Sequence, residues 1–349
     1  MEQLFNAFQF DGDLVSMTHY GNGHINDTYR VITTTNQYII QRINHYVFKQ
    51  PEQLMANYRL VTEYLKTIVS DPLRETLTII PTKDNKDLYV SEDGNYYRAI
   101  LFIDHCVCLE TMTGPEDFYQ TGIAFGTFQT QLSNFDASKL YESIPNFHNT
   151  PKRLETFKQA LQNASEERKI SAKTEIDFIL SHEQDAHALY NMNLPLRVTH
   201  NDTKLNNILF DEQTKKALCI IDLDTIMPGF VANDFGDSIR SGATYSKEDE
   251  PNVDLVTLDL PLYEAFFKGF VEGAKSILTP EEIQSLPVGA KTITLEQAIR
   301  FLTDYLENDV YYKIDYPEHN LVRTRTQIKM VQEMEKHHEF IQSLLKGSH

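Results

Sequence analysis

Three polar residues between positions 198 and 224 have types and spacing that suit phosphoryl transfer. Asp202 is followed by Asn207 five residues later and by Asp222 twenty residues later. Transfer of a phosphoryl group from ATP depends on positioning and charge neutralisation more than on covalent chemistry. One carboxylate must accept the proton of the attacking hydroxyl, and hard oxygen ligands must hold Mg²⁺ on the phosphates. We therefore predict that Asp202 is the catalytic base and that Asn207 and Asp222 bind Mg²⁺.

Two apolar stretches are expected to position these side chains. The run Ile208–Phe210 is followed by a turn-like charged segment and by a second apolar strand that ends in Asp222. This pattern predicts a β-hairpin whose strand ends present polar residues, where functional groups usually lie. The sequence Asp234-Phe235-Gly236 is an alternative metal-binding motif, but it lies thirty-two residues after Asp202 and follows Pro228-Gly229 rather than a strand. We predict that Asp234 instead caps a helix.

The N-terminal part of the chain offers candidate nucleotide contacts. Gly21, Asn22 and Gly23 form a predicted turn between two strands, and glycines let backbone N–H groups approach a phosphate. A plain hairpin turn is the alternative. The strand 38–43 carries Gln41 and Arg42 where kinases usually place a lysine.

Alternation along that strand allows only one of the two side chains to face the nucleotide. We predict that it is Arg42, with Glu52 or Glu63 of the following helix as its acidic partner. After the strand 96–103, backbone groups near Phe102 and Asp104 are predicted to form hydrogen bonds with adenine.

A helix predicted over 295–312 could bind the second substrate. Arg300, Asp304 and Tyr311 fall at i, i+4 and i+11, which places them on one face of that helix. Polar groups beside an aromatic ring suit a sugar, whose hydroxyls need hydrogen bonds and whose ring needs an apolar platform. The alternative is an ordinary surface pair between Arg300 and Asp304.

Composition excludes several other functions. The 349 residues are 41% hydrophobic and 23% charged, which predicts a globular chain with ample core. A net charge of −18 argues against nucleic-acid and anionic-membrane partners. Three cysteines and the lack of a basic, apolar leader favour a cytoplasmic protein without disulfides. Residues 347–349 resemble a cloning remnant, and the oligomeric state cannot be predicted.

The motifs resemble those of a known superfamily. H-N-D-x-x-x-N-N-I-L, I-I-D-L-D-T and P-G-x-x-x-x-D-F-G-D are similar to segments of the aminoglycoside phosphotransferase and choline kinase superfamily. Within it, G-x-G-H-I-N-x-T-Y and R-F-L-x-D-Y-L-x-x-D-x-Y resemble the bacterial N-acetylhexosamine 1-kinases. The resemblance implies that His24, Arg300 and Tyr311 contact the sugar, with Asp304 as a further candidate.

The same resemblance implies an α+β, protein-kinase-like fold with two lobes. Residues 1–104 would form a small β-rich nucleotide-binding lobe, and residues 105–346 a larger, mostly helical lobe with the catalytic and sugar-binding residues. ATP would bind between them, and the C1 hydroxyl of an N-acetylhexosamine would accept the phosphoryl group. Two alternatives stay open: a kinase of the same superfamily for an amino alcohol, aminoglycoside or other sugar, and a nucleotide-binding module without catalysis.

Overall fold

The chain divides into two compact units that are each built from several segments. The computed structural model describes residues 2–21, 26–109 and 113–347. The strand-rich unit comprises Met1–Cys108, Asn134–Pro145 and Ile208–Pro228. The helical unit comprises Leu109–Ser133, Asn146–Asn207 and Gly229–His349. The predicted boundary at residue 104 stays a prediction.

Most of the β-structure belongs to the strand-rich unit. The strands of the described residues are β1 (Leu14–His19), β2 (Asp27–Thr33), β3 (Gln37–Ile43), β4 (Ile79–Ile80), β5 (Tyr89–Val90), β6 (Tyr96–Leu101), β7 (Cys106–Cys108), β8 (Arg197–Thr199), β9 (Ile208–Asp211), β10 (Ala217–Ile220) and β11 (Met227–Gly229).

The main sheet of this unit is antiparallel and has the order β1-β2-β3-β6-β4, with β5 also paired to β6. Alternate residues of β3 face opposite sides of the sheet. Tyr38 and Ile40 are buried with Phe8, Val31 and Ala99 in one apolar cluster. This alternation leaves Gln41 on the other side of β3.

A second, smaller sheet contains the predicted hairpin. β9 and β10 are antiparallel, with Ile208 opposite Ile220, and β7 pairs with the other edge of β9. Ile208 is fully buried, as the apolar run in the sequence predicts. The hairpin prediction is therefore confirmed.

Helices dominate the rest of the chain. Those of the described residues are α1 (Glu2–Ala7), α2 (Pro51–Lys66), α3 (Pro115–Gln131), α4 (Thr150–Asn163), α5 (Glu166–Ser171), α6 (Lys173–Ser181), α7 (Glu183–Ala186), α8 (Val231–Gly242), α9 (Leu260–Ala274), α10 (Pro280–Leu306), α11 (His319–Lys336) and α12 (His338–Lys346). None of them is both long enough and apolar enough to cross a membrane.

Helix α10 is the central element of the helical unit. It begins with a capping box, in which Thr279 accepts a bond from the Glu282 N–H and the Glu282 carboxylate accepts one from the Thr279 N–H. Its buried residues Leu295, Ile299 and Leu302 form one cluster with apolar side chains of α4, α6 and α11. The α+β class, with an antiparallel N-terminal sheet and a mostly helical C-terminal part, is thus confirmed.

Helices α3 and α9 cross at unusually small residues. A Cβ on Gly126 would lie 2.4 Å from the Phe270 carbonyl oxygen, and one on Gly269 would lie 2.2 Å from the Tyr119 carbonyl oxygen. Such contacts are closer than atoms allow, so only glycine permits this approach of the two backbones. The close crossing fixes α3, whose aromatic side chains support the loop described next.

Candidate active site

The loop between β8 and β9 brings Asp202 and Asn207 together. The Asn207 side-chain amide donates to the Asp202 carbonyl oxygen at 2.7 Å and to Asp202 Oδ2 at 3.1 Å. Lys204 Nζ lies 2.7 Å from the other carboxylate oxygen, Oδ1. The Asp202 backbone N–H donates to His200 Nδ1 at 3.2 Å. These bonds fix the orientation of the carboxylate.

The surroundings of Asp202 keep its carboxyl group ionised. Burial alone would raise its pKa, but Lys204, His200 and the Asn207 amide together lower it below the ordinary value. The same attraction raises the pKa of Lys204. Asp202 is therefore a carboxylate near neutral pH and can accept a proton or a hydrogen bond from a hydroxyl.

His200 packs between this loop and helix α3 and has a structural role. Its side chain is fully buried, and its ring lies 5.7 Å from Phe125 and 6.1 Å from Phe128, both on α3. Both ring contacts are edge-on, a favourable geometry for aromatic groups. His200 thus connects the loop to α3, and its Nδ1 accepts the backbone hydrogen bond that helps to orient Asp202.

The prediction that Asp234 caps a helix is wrong. Helix α8 begins at Val231, so Asp234 lies within its first turn, and its carboxylate points to the loop. It accepts the backbone N–H of His200 at 2.9 Å and of Asn201 at 2.7 Å, and the Gln129 side-chain amide at 2.7 Å. With 1% of its surface exposed, Asp234 is positioned by tertiary packing to satisfy buried donors of the loop.

A second carboxylate of α8 holds the next residue of the loop. Asp237 Oδ2 accepts the Thr203 N–H at 2.9 Å, and Thr203 Oγ1 donates to the Asp234 carbonyl at 2.6 Å. Ser238 donates to the Thr203 carbonyl at 2.7 Å. The loop residues on both sides of Asp202 are therefore bonded to one helix, which gives the carboxylate a rigid base.

Asp222 belongs to the strand-rich unit and lies just beyond β10. It is exposed and has a left-handed backbone conformation, with φ 58° and ψ 57°. This conformation costs energy for residues other than glycine, is tolerated best by Asp and Asn, and is often found at functional sites. A short 3₁₀ turn, Leu223–Thr225, follows directly.

That turn contains the centre of a buried polar network that sequence reasoning missed. Asp224, 3% exposed, pairs with Arg98 of β6, which is 1% exposed. Arg98 Nε also donates to Gln41 Oε1 at 2.9 Å, and its guanidinium carbon lies 4.7 Å from the Tyr58 ring centroid. Asn26 donates to the second oxygen of Asp224 at 2.6 Å. Arg98 of β6 and Asp224 thus form a buried ion pair within the strand-rich unit.

The predicted orientation of Arg42 is corrected by the side-chain contacts of Gln41 and Arg42 on β3. Alternation along β3 turns Gln41 toward Arg98 and turns Arg42 to the opposite face of the sheet. There Arg42 is 44% exposed and pairs with Asp27. The acidic partner of Arg42 is therefore Asp27 rather than Glu52 or Glu63 of α2.

The predicted adenine contacts follow β6. The Phe102 N–H donates to the Gln37 carbonyl at 3.1 Å, and its ring lies 4.5 Å from the Arg30 guanidinium carbon. Asp104 Oδ1 accepts from the Gln37 side-chain amide at 3.3 Å. The Phe102 N–H is therefore engaged in the strand-rich unit, and an adenine contact at Phe102 or Asp104 stays a prediction.

Of the predicted glycine turn, only its first residue is described. Gly21 has φ 74° and is exposed, with no atom within 4 Å of the position a Cβ would take. This conformation favours glycine for backbone reasons rather than for space. Asn22, Gly23 and His24 lie outside the described residues, so their roles in binding phosphate or sugar stay predictions.

The predicted sugar-binding face on α10 is only partly formed. The helix ends at Leu306, because Asn308 and Asp309 take left-handed conformations with φ 73° and 58°. Tyr311 therefore lies beyond the helix, with 61% of its surface exposed. Tyr312 lies beside Arg300 instead, 5.8 Å from ring centroid to guanidinium carbon.

Asp304 also differs from its prediction. Only 3% of it is exposed, and its carboxylate accepts the backbone N–H groups of Tyr311 at 2.7 Å and Tyr312 at 2.9 Å. The Asn320 amide donates to it as well, at 2.8 Å. These contacts satisfy backbone donors after the helix end, so Asp304 holds the following loop rather than presenting a group to a ligand.

Arg300 has an aromatic environment, and the residue that follows its aromatic partner contacts the loop of Asp202. Its guanidinium carbon is 5.3 Å from the Phe147 ring, and Nη1 donates to Gln297 at 3.1 Å. His148, next along the chain, binds Glu296 at 2.8 Å through Nδ1 and the Asn201 carbonyl oxygen at 3.3 Å through Nε2. Within the helical unit, Arg300 is therefore linked to the residue that precedes Asp202.

Comparison with known proteins identifies the family. The model of the phosphotransferase enzyme family APH matches residues 16–266. This chain belongs to the APH phosphotransferase family. Its assignment confirms the superfamily that the motifs indicate and makes the protein a small-molecule phosphotransferase.

Solved structures confirm the APH fold. An aminopropanol kinase associated with a microcompartment is 14% identical, with TM-score 0.61 and 97% of each chain covered. A spectinomycin phosphotransferase in complex with ADP and spectinomycin is 13% identical, with TM-score 0.60 and 97% of each chain covered. An aminoglycoside phosphotransferase from Alicyclobacillus acidocaldarius is 14% identical, with TM-score 0.64, and covers 97% of this chain and 94% of that one. At such identities the likeness establishes the protein-kinase-like fold.

Asn207 of the helical unit and Asp222 of the strand-rich unit each carry an oxygen donor of the kind that binds Mg²⁺. Asn207 uses its amide nitrogen to bind Asp202, which leaves its carbonyl oxygen as the donor atom for a cation. Asp222 offers an exposed carboxylate in a conformation set by the turn that follows it. Both are the hard oxygen donors that Mg²⁺ prefers.

Lys204 is the residue of the loop that sequence reasoning should have found. It lies two positions after Asp202, and a lysine so close to a predicted catalytic carboxylate is a candidate for neutralising phosphate charge. A similar clue existed for Arg98, a charged residue in the middle of the otherwise uncharged strand β6. Its partner, Asp224, could not be found from local pattern because it lies 126 residues away.

Proposed function

We propose that this APH protein uses ATP and Mg²⁺ to phosphorylate the anomeric C1 hydroxyl of N-acetylhexosamines, such as N-acetylglucosamine or N-acetylgalactosamine. The single observation that carries the chemistry is the oriented Asp202 carboxylate, with Lys204 at 2.7 Å and the Asn207 amide at 3.1 Å. The motifs that resemble the 1-kinases support the choice of sugar. The ADP bound to one neighbour supports use of a nucleotide.

Each residue has a defined part in the proposed reaction. Asp202 accepts the proton of the C1 hydroxyl while that oxygen forms a bond to the γ-phosphorus of ATP. The bond from the γ-phosphorus to the bridging oxygen breaks, and ADP leaves with its electron pair. Lys204 offsets negative charge beside Asp202. Mg²⁺ held by Asn207 and Asp222 would neutralise charge on the phosphates when bound.

A different acceptor is the second candidate. The neighbouring structures include an aminopropanol kinase and an ethanolamine kinase, whose names indicate amine-bearing acceptors. An amine requires nearby carboxylates. Here, Arg300 and the rings of Phe147 and Tyr312 lie together, and Glu296 is already engaged by His148. These groups favour a hydroxyl-rich or anionic acceptor over an amine.

Turnover by the purified chain tests the proposal. ADP release would be measured with ATP, Mg²⁺ and, in turn, N-acetylglucosamine, N-acetylgalactosamine, galactose, choline and kanamycin, and phosphorus NMR would identify a 1-phosphate. We expect turnover with the N-acetylhexosamines and a loss of about 10²- to 10⁴-fold in kcat for Asp202→Asn. Nucleotide affinity should be largely kept.

The control is Asp177→Asn, the same chemical change at an exposed position of α6, where the side chain is 60% exposed and pairs with Lys173. It should leave kcat unchanged. Turnover of choline or kanamycin alone would overturn the choice of acceptor. Near-normal kcat in Asp202→Asn would overturn the role of Asp202.

A further inference from the structure

Two arginines from different helices contact the same phenylalanine in the helical unit. Arg300 of α10 lies 5.3 Å from the Phe147 ring, measured from its guanidinium carbon to the ring centroid. Arg153 of α4 donates from Nη2 to the Phe147 carbonyl oxygen at 3.2 Å. Burial, and after it the like charge of Arg300, lowers the pKa of Arg153. Phe147 thus has one arginine beside its ring and another at its carbonyl oxygen.

Neither arginine is neutralised by an acidic side chain of the described residues. Glu296 is the carboxylate that faces both, but it forms no ion pair with either. Its two oxygens instead bind His148 at 2.8 Å and Thr150 Oγ1 at 2.6 Å. Arg153 Nε is buried and finds no hydrogen-bond acceptor within residues 2–21, 26–109 and 113–347.

The other ionisable groups facing the pair do not supply the missing negative charge. Tyr312 is an uncharged phenol near pH 7, because burial raises its pKa above the ordinary value. Arg240 adds positive charge and is itself paired, at 3.0 Å to Asp237 and at 2.7 Å to Glu248. Arg153 and Arg300 are thus two guanidinium groups at Phe147 with no ion pair among the described residues, in a chain of net charge −18.

We propose that Arg153 and Arg300 form a binding site for an oxyanion carried by the acceptor molecule or by its product. The planar guanidinium fork matches the geometry of carboxylates and phosphates, which can accept two parallel hydrogen bonds. The buried Nε of Arg153 lacks an acceptor among the described residues, which costs free energy, and a bound anion would remove that cost. Phe147 holds both groups beside an apolar surface that suits a sugar ring.

The position of the pair relates this site to phosphoryl transfer. His148 follows Phe147 and contacts the Asn201 carbonyl oxygen at 3.3 Å, one residue before Asp202. An anion on the arginines would therefore belong to the molecule that Asp202 deprotonates. This inference rests on the proposed function and narrows its substrate class.

Two sources can provide such an oxyanion. The first is a carboxylate on the acceptor, as in an N-acetylhexosamine that bears an acidic substituent. The second is the phosphate of the sugar 1-phosphate, which the same arginines would hold after transfer. A carboxylate presents two oxygens in a plane and a phosphate presents a tetrahedral set. Steady-state kinetics can distinguish these two sources of the anion.

The test compares Arg153→Gln and Arg153→Lys with the wild-type chain and with Lys152→Gln. Lys152 is the adjacent residue, 53% exposed and paired with Glu155, so its loss controls for a lost positive charge on α4. The probes are N-acetylglucosamine, N-acetylmuramic acid (the same sugar with a lactyl carboxylate) and N-acetylglucosamine 1-phosphate. The readouts are kcat/KM for the two sugars, the inhibition constant of the 1-phosphate and the thermal midpoint.

If the acceptor supplies the anion, Arg153→Gln should lower kcat/KM for N-acetylmuramic acid by about 10- to 100-fold, the size of a charge-assisted hydrogen bond. The value for N-acetylglucosamine should change by less than about threefold, and Arg153→Lys should restore part of the loss. If the product supplies it, the inhibition constant of the 1-phosphate should rise by about tenfold or more while both sugars respond alike.

Equal behaviour of wild type, Arg153→Gln and Lys152→Gln with all three probes would overturn the anion site. A failure of the proposed function gives a different pattern, in which the wild-type chain turns over neither sugar. In that case calorimetric titration with inorganic phosphate decides the matter. Binding that is lost in Arg153→Gln and kept in Lys152→Gln supports the site, and no binding to wild type refutes it.

Discussion

The buried pair between Arg98 and Asp224 allows a stability effect to be calculated from the structure. Arg98→Met removes the guanidinium but keeps an unbranched apolar chain to pack near Tyr58, which lies 4.7 Å from the guanidinium carbon. Asp224 then remains 97% buried, since only 3% of its side chain is exposed. Its one remaining side-chain donor in the described network is the Asn26 amide at 2.6 Å.

The expected magnitude follows from this burial. Removing one partner of a buried ion pair typically costs about 3–5 kcal/mol, because the other charge is left uncompensated. The matched control is Arg59→Met, which breaks the pair with Asp87 where the side chains are 41% and 24% exposed. Pairs so accessible to water contribute about 0–1 kcal/mol. The difference between the two variants should therefore exceed about 2 kcal/mol.

The assay is urea unfolding followed by far-ultraviolet circular dichroism, since the chain contains no tryptophan for fluorescence. The double variant Arg98→Met/Asp224→Asn should be less destabilised than the sum of the single changes, because no charge is left buried alone. A loss below about 1 kcal/mol in Arg98→Met, or one equal to that of Arg59→Met, would refute the reasoning. Such a result would mean that water reaches Asp224 in solution.

Two further predictions concern the pH dependence of the site and the end of α10. Lys204→Met removes the ammonium that lowers the pKa of Asp202, so the pH below which kcat/KM falls should move upward. The control is Lys158→Met, which removes a lysine from an exposed ion pair with Glu183. An acidic limb of the pH profile that does not move in Lys204→Met, or that moves equally in Lys158→Met, contradicts the prediction. Asp304→Asn loses charged bonds to the N–H groups that follow the helix, so the free energy of unfolding should fall by about 1.5–3 kcal/mol per bond broken. A raised acceptor KM with unchanged stability would instead assign Asp304 to the substrate.

Features that depend on a few neighbouring residues were predictable from the sequence. The spacing of Asp202 and Asn207 suffices for their side chains to meet in one short loop, where they form two hydrogen bonds. The alternation of apolar residues fixes β9, β10 and their hairpin, and Thr279 with Glu282 fixes the start of α10. In each case the bonds that define the element join residues close in the chain.

Local pattern failed where a distant group decided the outcome. The sequence after Leu306 keeps an apolar periodicity, but Asp304 binds the backbone of Tyr311 and Tyr312 and so stabilises a loop there. Asp234 has the residue type and surroundings of a helix cap, yet buried N–H groups of another segment take its carboxylate. The free energy that helix propensity contributes per residue is small compared with the free-energy cost of leaving a buried N–H group without an acceptor.

The sequence by itself therefore determined the family of this protein, the contact between Asp202 and Asn207, and the elements that carry the two residues. Only the tertiary structure decided which charges are paired. It joins Arg98 to Asp224 across 126 residues, turns Arg42 to the opposite face of β3 and leaves Arg153 without an ion-pair partner among the residues that the structure describes. The physical reason is that a buried charge must find its partner among the groups that folding brings close, and sequence separation carries no information about them.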